Sequence, residues 1–297
     1  MRIAFIGLGN MGGGMAANLA RAGKDVFAFD ISAAALEKAA AAGCRPVGSA
    51  AEAVAGAGAV ITMLPAGGHV RRVYLDTILP HAPPGALLID CSTIDVETAR
   101  ELAAEAASRN FRAADAPVSG GMVGAQAGTL ALMVGCAESD FAAVEEVVGP
   151  MARTVIRAGD HGAGQAAKIC NNMVLGASMI AVCEAFALAE KLGLDPERFY
   201  AIASQSSAQC WSLTTNCPWP GPVPTAPSNR GYEGGFATTM MLKDLKLAQE
   251  AAAKAGAATP IGAAAEGLYA LFERLGGGPR DFSAILELLR GRLPPAA

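Results

Sequence analysis

The sequence changes character at residues 162–172, which read GAGQAAKICNN. Before this stretch, short apolar runs alternate with segments of helical periodicity, whereas nearly every segment after it has a helical pattern. Gly164, Lys168 and Asn172 are spaced four positions apart, so a helix places them on one face. The stretch therefore predicts a long central helix that ends an α/β region and begins a helical region.

The same helix continues through residues 173–183, which are apolar at nearly every position and indicate burial on all sides. This run ends at Glu184 and is shorter than a membrane span. A buried helix that carries an ammonium and an amide needs partners for them, because an unpaired buried charge is costly. Two interpretations stay open: Lys168 pairs with a carboxylate elsewhere in the chain, or Lys168 and Asn172 contact a substrate.

Composition indicates a globular protein with a large core and room for two domains, since 52% of the 297 residues are hydrophobic and 17% are charged. The net charge is −4 without a cluster of Lys and Arg, so we expect no nucleic-acid partner. Seven cysteines without a C-x-x-C pair indicate a reducing compartment, with neither a disulfide framework nor a metal site. Because the first strand is predicted to begin at Arg2, we expect no signal peptide. We therefore expect a cytoplasmic protein without a membrane role.

The N-terminal segment has the pattern of a dinucleotide-binding unit. Residues 3–6 (IAFI) predict a buried strand, and a G-x-G-x-x-G motif and a helix follow directly. Such glycines allow a pyrophosphate to approach the backbone at the start of the helix. The second strand, residues 25–29, ends at Asp30, whose carboxylate would bind ribose hydroxyls and favour NAD over NADP. The alternative is that Asp30 only begins the next helix. The candidate cofactor contacts in the turn are Gly7, Gly9, Asn10, Met11 and Gly12.

The ends of the following strands supply further candidates. Strands at 59–63 and 86–90 lead to Leu64, Pro65 and Thr93, where a doubly wound sheet binds its ligand, although ordinary loop residues would fit the same pattern. After a strand at 111–115 comes Ser119-Gly120-Gly121, which offers a hydroxyl and backbone N–H groups to an anion or else forms a tight turn. The alternation of strands and helices predicts a parallel α/β sheet over residues 1–162 and an all-helical domain over 163–297.

The C-terminal half contains a segment without regular periodicity. Trp211 precedes a loop with five prolines between positions 218 and 227, and a loop of this length indicates function or disorder. Helical patterns resume at 236–255, which contains Lys243, and continue at 260–275 and 281–290.

Four blocks make the chain resemble the β-hydroxyacid dehydrogenase family. They are residues 5–12 (FIGLGNMG), 115–121 (DAPVSGG), 162–172, and 235–245, which begins with Gly235-Phe236 and contains Lys243. In order along the chain, they span nearly its whole length. Gly14 stands where the family often has proline, and Cys91 stands where serine is common.

The resemblance implies a Rossmann lobe, a helical lobe, and assembly as a homo-dimer or homo-tetramer. It implies that Lys168 is catalytic with help from Asn172, and that Ser119, Gly120 and Gly121 bind the substrate carboxylate. It also implies that Phe236 and Lys243 contact the cofactor. Trp211 lies in a segment that resembles the branch acting on 3-hydroxyisobutyrate, so we assign it to the substrate.

The implied reaction is the NAD-dependent oxidation of 3-hydroxyisobutyrate to methylmalonate semialdehyde in valine catabolism. Oxidation of an alcohol needs a base for the hydroxyl proton, and both burial and a positive nicotinamide ring lower the pKa of a lysine such as Lys168. His161 is an alternative proton carrier, although a capping or surface role is favoured. Serine oxidation and reduction of tartronate semialdehyde are alternatives within the family. A dinucleotide sensor without turnover is the alternative from another class, and a sensor has no need of Lys168.

Overall fold

The computed structural model describes residues 1–292. The chain divides into two compact units, Met1–Lys168 and the chain from Ile169 onward. The first unit is a sheet with helices and the second is helical, so the predicted fold class is confirmed. The predicted domain boundary at residue 162 stays a prediction, because one helix, Ala163–Lys191, runs through the division.

The first unit contains one sheet, formed within the described residues by nine strands. Six of them are parallel neighbours in the order β3-β2-β1-β4-β5-β6, which is the predicted doubly wound arrangement. The strands are β1 (Arg2–Ile6), β2 (Asp25–Phe29), β3 (Arg45–Pro46), β4 (Ala59–Thr62), β5 (Leu87–Asp90), β6 (Arg112–Asp115), β7 (Val118–Ser119), β8 (Leu130–Gly135) and β9 (Ala152–Gly159).

The sheet departs from the parallel arrangement at one edge. Strand β8 runs antiparallel to β6 and β7, and β9 then pairs parallel with β8. The connection from β7 to β8, residues 120–129, is too short for a parallel crossover, which needs about a dozen residues or more. The chain therefore turns back on itself directly after Ser119.

The helices of the first unit follow the strands as the periodicity predicts. They are α1 (Gly12–Arg21), α2 (Ala33–Ala41), α3 (Ala50–Val54), α4 (Gly67–Val73), α5 (Leu79–His81), α6 (Val96–Ser108), α7 (Gly121–Ala127) and α8 (Glu138–Val148). A π-helical turn, Tyr74–Ile78, joins α4 to α5, and a 3-10 turn, Gly149–Met151, precedes β9.

Gly14 allows α1 to lie directly against α7. A Cβ at Gly14 would be 2.9 Å from the carbonyl carbon and oxygen of Ala125, so any other residue would push the two helices apart. The Asn18 amide donates to the Ala125 carbonyl at 2.6 Å across the same contact. The departure from proline at position 14 thus has a packing reason. It brings the helix after the glycine-rich turn against the helix after Ser119.

The second unit packs its helices around a core that includes Phe186, Tyr269, Phe272 and Phe282. Its helices are the continuation of α9 (Ala163–Lys191), α10 (Pro196–Ala203), α11 (Trp211–Thr214), α12 (Thr238–Ala255), α13 (Pro260–Phe272) and α14 (Ile285–Leu289). A 3-10 turn at Pro227–Arg230, a π-helical turn at Glu273–Gly277 and a 3-10 turn at Phe282–Ala284 complete it.

The expectation that α9 is buried on all sides was wrong. Val174 is 65% exposed and Leu188 60%, whereas Met179 and Phe186 are fully buried, so one face of the helix is open. By length and composition α9 could cross a membrane, with a mean hydropathy of 1.7 and 44% of its most apolar window buried. Core helices of folded domains meet the same criteria, so this one helix is weak support for a membrane span.

The proline-rich segment is an ordered loop. Tyr232 donates its hydroxyl to the Pro218 carbonyl at 2.9 Å, and the Asn229 amide accepts from Gly221 N and donates to Val223 O, each at 2.7 Å. These hydrogen bonds fold the segment onto itself within the second unit. Of the two interpretations of its length, disorder is excluded.

Candidate functional site

The glycine-rich turn leaves an open space at the start of α1. A Cβ at Gly9 would meet no atom within 4 Å, whereas one at Gly12 would collide with the Gly7 carbonyl. Among residues 1–292 no side-chain hydrogen bond caps the helix N-terminus at Met11, and Gly13 N donates to the Gly9 carbonyl at 3.1 Å, so the other N–H groups of the first turn of α1 remain for an anion. Room in front of the backbone and uncapped amides fit a dinucleotide pyrophosphate. Gly7, Gly9, Asn10, Met11 and Gly12 are thus placed where the sequence predicts them.

Asp30 lies at the end of β2 and has two backbone partners. Its Oδ2 accepts from Leu8 N at 2.6 Å, and its Oδ1 accepts from Ser32 N at 2.8 Å. The carboxylate therefore braces the glycine-rich turn and also begins the turn before α2, where Ser32 is the N-cap. Its neighbour Ile31 is 97% exposed, so the edge beside the carboxylate is open. Asp30 fits both of its predicted roles at once.

The ends of β4 and β5 are joined through Ser92, which sequence reasoning passed over. Its hydroxyl accepts from Leu64 N at 2.8 Å and donates to Asp90 Oδ1 at 2.6 Å, and Thr62 donates to the same oxygen at 2.6 Å. Burial raises the pKa of Asp90 to about 6, against the effect of these hydrogen bonds. The loops that carry Leu64, Pro65 and Thr93 are therefore connected to each other. Leu64 also approaches Gly7, since a Cβ there would be 3.1 Å from Leu64 Cδ2.

The start of α9 is held by Asp115 at the end of β6. Asp115 Oδ1 accepts from Gly162 N at 2.6 Å and Oδ2 from Gln165 N at 2.8 Å, so the carboxylate satisfies two N–H groups of the first turn. Burial raises the pKa of Asp115, and these hydrogen bonds oppose that shift. Gly164 must be glycine, because a Cβ would be 2.6 Å from the Asp115 carbonyl oxygen. The Gly-x-Gly spacing thus lets the helix begin directly on the sheet.

Lys168 lies one turn after Gly164 and is only 7% exposed. The helical spacing predicted from the sequence places Lys168, Asn172 and Gly176 on one face of α9. Gly176 permits α12 to approach closely, since a Cβ there would be 3.1 Å from Leu245 Cδ2. Gly164 thus permits close packing in the first unit, and Gly176 permits it in the second.

The Ser119-Gly120-Gly121 segment has a conformation that favours glycine. Gly120 has φ of 131° and Gly121 φ of 62°, and a Cβ at Gly121 would meet no atom within 4 Å. The connection after Ser119 is the helix α7 rather than a tight turn between strands, and it leaves open space beside Gly121. Ser119 is partly exposed at the end of β7. The open space beside Gly121 and the partly exposed Ser119 both fit the binding of a small anion.

In the second unit, Asp244 brings Asn172 and Lys243 together. Asp244 is buried, its Oδ2 accepts from the Asn172 amide at 2.5 Å, and its Oδ1 lies 3.3 Å from Lys243 Nζ. The sequence predicted Asn172 and Lys243 as site residues but did not predict Asp244. The position of Asp244 next to Lys243 was the one feature of the sequence that could have indicated a role in the site. Nothing in the local pattern indicated that Asp244 would bond to Asn172, 72 residues away.

The remaining predicted residues of the second unit lie in different settings. Phe236 packs its ring against Phe282, with centroids 5.9 Å apart, and its backbone N–H donates to Asp281 at 2.8 Å. Trp211 begins α11 and is 51% exposed. The assignment of these two residues to cofactor and substrate stays a prediction.

His161 has a structural contact, since its Nε2 lies 3.0 Å from the Ala113 carbonyl oxygen. This contact joins His161 to strand β6 and favours a structural role over proton transfer. Among residues 1–292, no group of three or more His, Cys, Asp and Glu side chains is arranged to hold a metal ion.

Two family models together cover nearly the whole chain. Residues 2–159 match the NAD-binding domain of 6-phosphogluconate dehydrogenase. Residues 162–289 match the NAD-binding domain of NADP-dependent 3-hydroxyisobutyrate dehydrogenase.

Individual relatives match over almost their full lengths. A 3-hydroxyisobutyrate dehydrogenase from Pseudomonas aeruginosa is 48% identical over 98% of this chain and 99% of its own. An NAD-dependent L-serine dehydrogenase from the same organism is 45% identical over 97% of each chain. The solved structure of Mycobacterium tuberculosis 3-hydroxyisobutyrate dehydrogenase with L-serine has a TM-score of 0.93 and 51% identity, covering 97% of this chain and 98% of its own.

Proposed function

The chain belongs to the β-hydroxyacid dehydrogenase family, and we propose that it oxidises 3-hydroxyisobutyrate to methylmalonate semialdehyde with NAD, using Lys168 as general acid and base. The chain is an oxidoreductase of small hydroxy acids, and its cofactor is a nicotinamide dinucleotide of the NAD(P) class. The proposal concerns the particular acid, the preference for NAD, and the residues that act.

The chemistry follows from where the chain places its own groups. When bound, NAD supplies the acceptor for the hydride that leaves carbon 3 of the substrate. Lys168, buried on the first turns of α9, takes the hydroxyl proton onto Nζ as the C–O bond becomes a carbonyl. In the reverse direction the same ammonium returns the proton. Ser119, Gly120 and Gly121 bind the carboxylate, so that the hydroxyl carbon is presented in one orientation.

Asn172 contributes as a fixed amide. Its Nδ2 donates to the buried Asp244, and its Oδ1 accepts from Asn171 Nδ2 at 3.0 Å, so both ends of the amide are held. Asp244 is therefore a positioning residue in this proposal, and Lys243 is held beside it. Phe236 and Trp211 complete the proposed set as cofactor and substrate contacts, respectively.

We base the choice between 3-hydroxyisobutyrate and serine on the hydrogen bonds of Asp115. 3-Hydroxyisobutyrate and serine share a carboxylate and a 3-hydroxyl, but serine has an ammonium at carbon 2, which needs an acceptor in a closed site. Asp115 is the acid nearest to Ser119 along the chain, and both its oxygens already accept from the start of α9. This engagement disfavours the ammonium and favours the methyl group of 3-hydroxyisobutyrate.

L-Serine is the second candidate, supported by the serine dehydrogenase relative and by the mycobacterial structure with L-serine. The test is the ratio of kcat/KM for 3-hydroxyisobutyrate to that for L-serine, read from NADH absorbance at one alkaline pH. We expect a ratio of about 10 to 200, the usual discrimination for one apolar group. A ratio below one would replace our proposal with serine oxidation.

The preference for NAD rests on Asp30, whose fixed carboxylate would repel a 2′-phosphate. Repeating the assay with NADP tests it directly, and equal kcat/KM values for the two cofactors would contradict this role of Asp30. We further propose a place in valine catabolism, a cytoplasmic location, and assembly as a homo-dimer or homo-tetramer, which light scattering of the purified protein would test.

A further inference from the structure

We propose that Gln165 is a positioning residue that holds the loop after β5 at a fixed distance from Lys168. The proposal rests on the function proposed above, because it gives Gln165 the task of joining a cofactor loop to the helix of the catalytic lysine. Gln165 is fully buried one turn before Lys168, and no motif in the sequence marks it as functional.

Both polar atoms of the Gln165 side chain form hydrogen bonds with the backbone of residues 92–94. Its Nε2 donates to the Ser92 carbonyl at 2.8 Å, and its Oε1 accepts from Ile94 N at 3.0 Å. These are the two peptide groups on either side of Thr93, the proposed cofactor contact. The carboxamide therefore holds the backbone on both sides of Thr93.

The backbone of Gln165 is itself anchored. Its N–H donates to Asp115 Oδ2 at 2.8 Å, so the first turn of α9 cannot slide along the sheet without breaking that hydrogen bond. The Ser92 carbonyl accepts from the Gln165 amide, and the Ser92 hydroxyl accepts from Leu64 N. One buried carboxamide thus connects the loops after β4 and β5 to the start of the helix that carries Lys168.

The chemistry of this contact restricts position 165 to one residue type. Glutamine provides a donor and an acceptor at the required length, whereas a glutamate carboxylate provides only acceptors and would face the Ser92 carbonyl. A protonated glutamic acid, in contrast, donates its O–H and accepts through its carbonyl oxygen. Leucine has a similar size and neither function.

The experiment compares Gln165→Glu and Gln165→Leu with the wild-type enzyme. In Gln165→Leu we expect kcat to fall about 10- to 100-fold and the affinity for NADH, measured by fluorescence titration, to fall at least about threefold, because a small displacement of positioned groups is costly. Amide exchange at Ile94 should become faster in the same variant. Asp195→Ala, which removes an exposed helix cap in the second unit, controls for a general loss of stability.

The decisive readout is the pH dependence of Gln165→Glu relative to Gln165→Leu. The titratable groups that surround position 165 are Asp90, Asp115, His161 and Lys168, and both variants share all of them, so their titration cancels in the ratio. We expect the ratio of kcat for Gln165→Glu to kcat for Gln165→Leu to rise at least about threefold from pH 9 to pH 6. At the lower pH the new carboxyl group becomes protonated and can donate a hydrogen bond to the Ser92 carbonyl.

A kcat ratio that stays constant with pH, or a Gln165→Leu enzyme with unchanged kcat and NADH affinity, would overturn the proposal. Failure of the proposed function would look different. It would appear as turnover in Lys168→Ala with Gln165 intact, while Ile94 exchange and NADH affinity would still report on Gln165.

Discussion

Two buried carboxylates, Asp115 in the first unit and Asp281 in the second, perform similar tasks by different routes. Asp115 accepts from Gly162 N and Gln165 N and so holds the start of α9. Asp281 accepts from Phe236 N and also from the Asn216 amide and the Ser283 hydroxyl. Each carboxylate therefore fixes a segment that the sequence had assigned to the site.

The difference lies in what brings each acid to its partners. Asp115 ends a parallel strand, and the carboxyl ends of such strands meet at one edge of the sheet, where a ligand is expected. Asp281 follows a π-helical turn and lies in no regular element, so only its individual hydrogen bonds define its place. A repeating architecture positions the candidate residues of the first unit, and isolated polar contacts position those of the second.

The largest expected effect comes from the part that the sheet positions. Lys168→Ala should lower kcat by at least about 100-fold while NADH still binds, because a positioned proton-transfer group is lost. Steady-state kinetics and a fluorescence titration measure the two quantities separately. Near-wild-type turnover would remove Lys168 from the mechanism, and loss of NADH binding as well would indicate a misfolded first unit.

The next effect tests the part that isolated contacts position. Asp281→Ala leaves the part-buried Phe236 N–H and the buried Asn216 and Ser283 groups without their shared acceptor, so the free energy of unfolding should fall by about 3 kcal/mol or more. Urea unfolding measures it, with Asp195→Ala as a control that should lose about 1 kcal/mol. Equal losses in the two variants would mean that Asp281 does not organise the segment.

The smallest effect concerns the buried acid at the end of β5. Burial raises the pKa of Asp90 from 3.8 to about 6, so the folded state retains a proton that the unfolded state loses. Stability from this group is therefore full below about pH 4 and decreases as the pH rises to about 6. The two pKa values differ by about 2 units, which corresponds to about 3 kcal/mol.

Asp90→Asn removes that titration and keeps an acceptor oxygen for Thr62 and Ser92. Its unfolding free energy relative to wild type should rise by about 2–3 kcal/mol between pH 4 and pH 7 in paired urea titrations. If this difference in unfolding free energy were constant with pH, the pKa of Asp90 would be the same in the folded and unfolded states, as it is for an exposed carboxylate.

The sequence by itself determined the doubly wound sheet, the glycine-rich turn, the long helix with Lys168 and Asn172, and the family. These features depend on local periodicity and on spacings within one element, which the chain carries in its order. The long central helix illustrates this, since the structure has it from Ala163 to Lys191.

Only the tertiary structure decided which groups hold the site in place. Gln165 reaches Ser92 across 73 residues, Asn172 reaches Asp244 across 72, and Phe236 reaches Asp281 across 45. Gly14 is likewise explained only by its close contact with α7. The exposed face of α9 was also revealed only by the structure, since the apolar sequence had suggested burial. A local pattern records which face of an element is apolar, but a hydrogen-bond partner or a close packing contact exists only once distant segments have met.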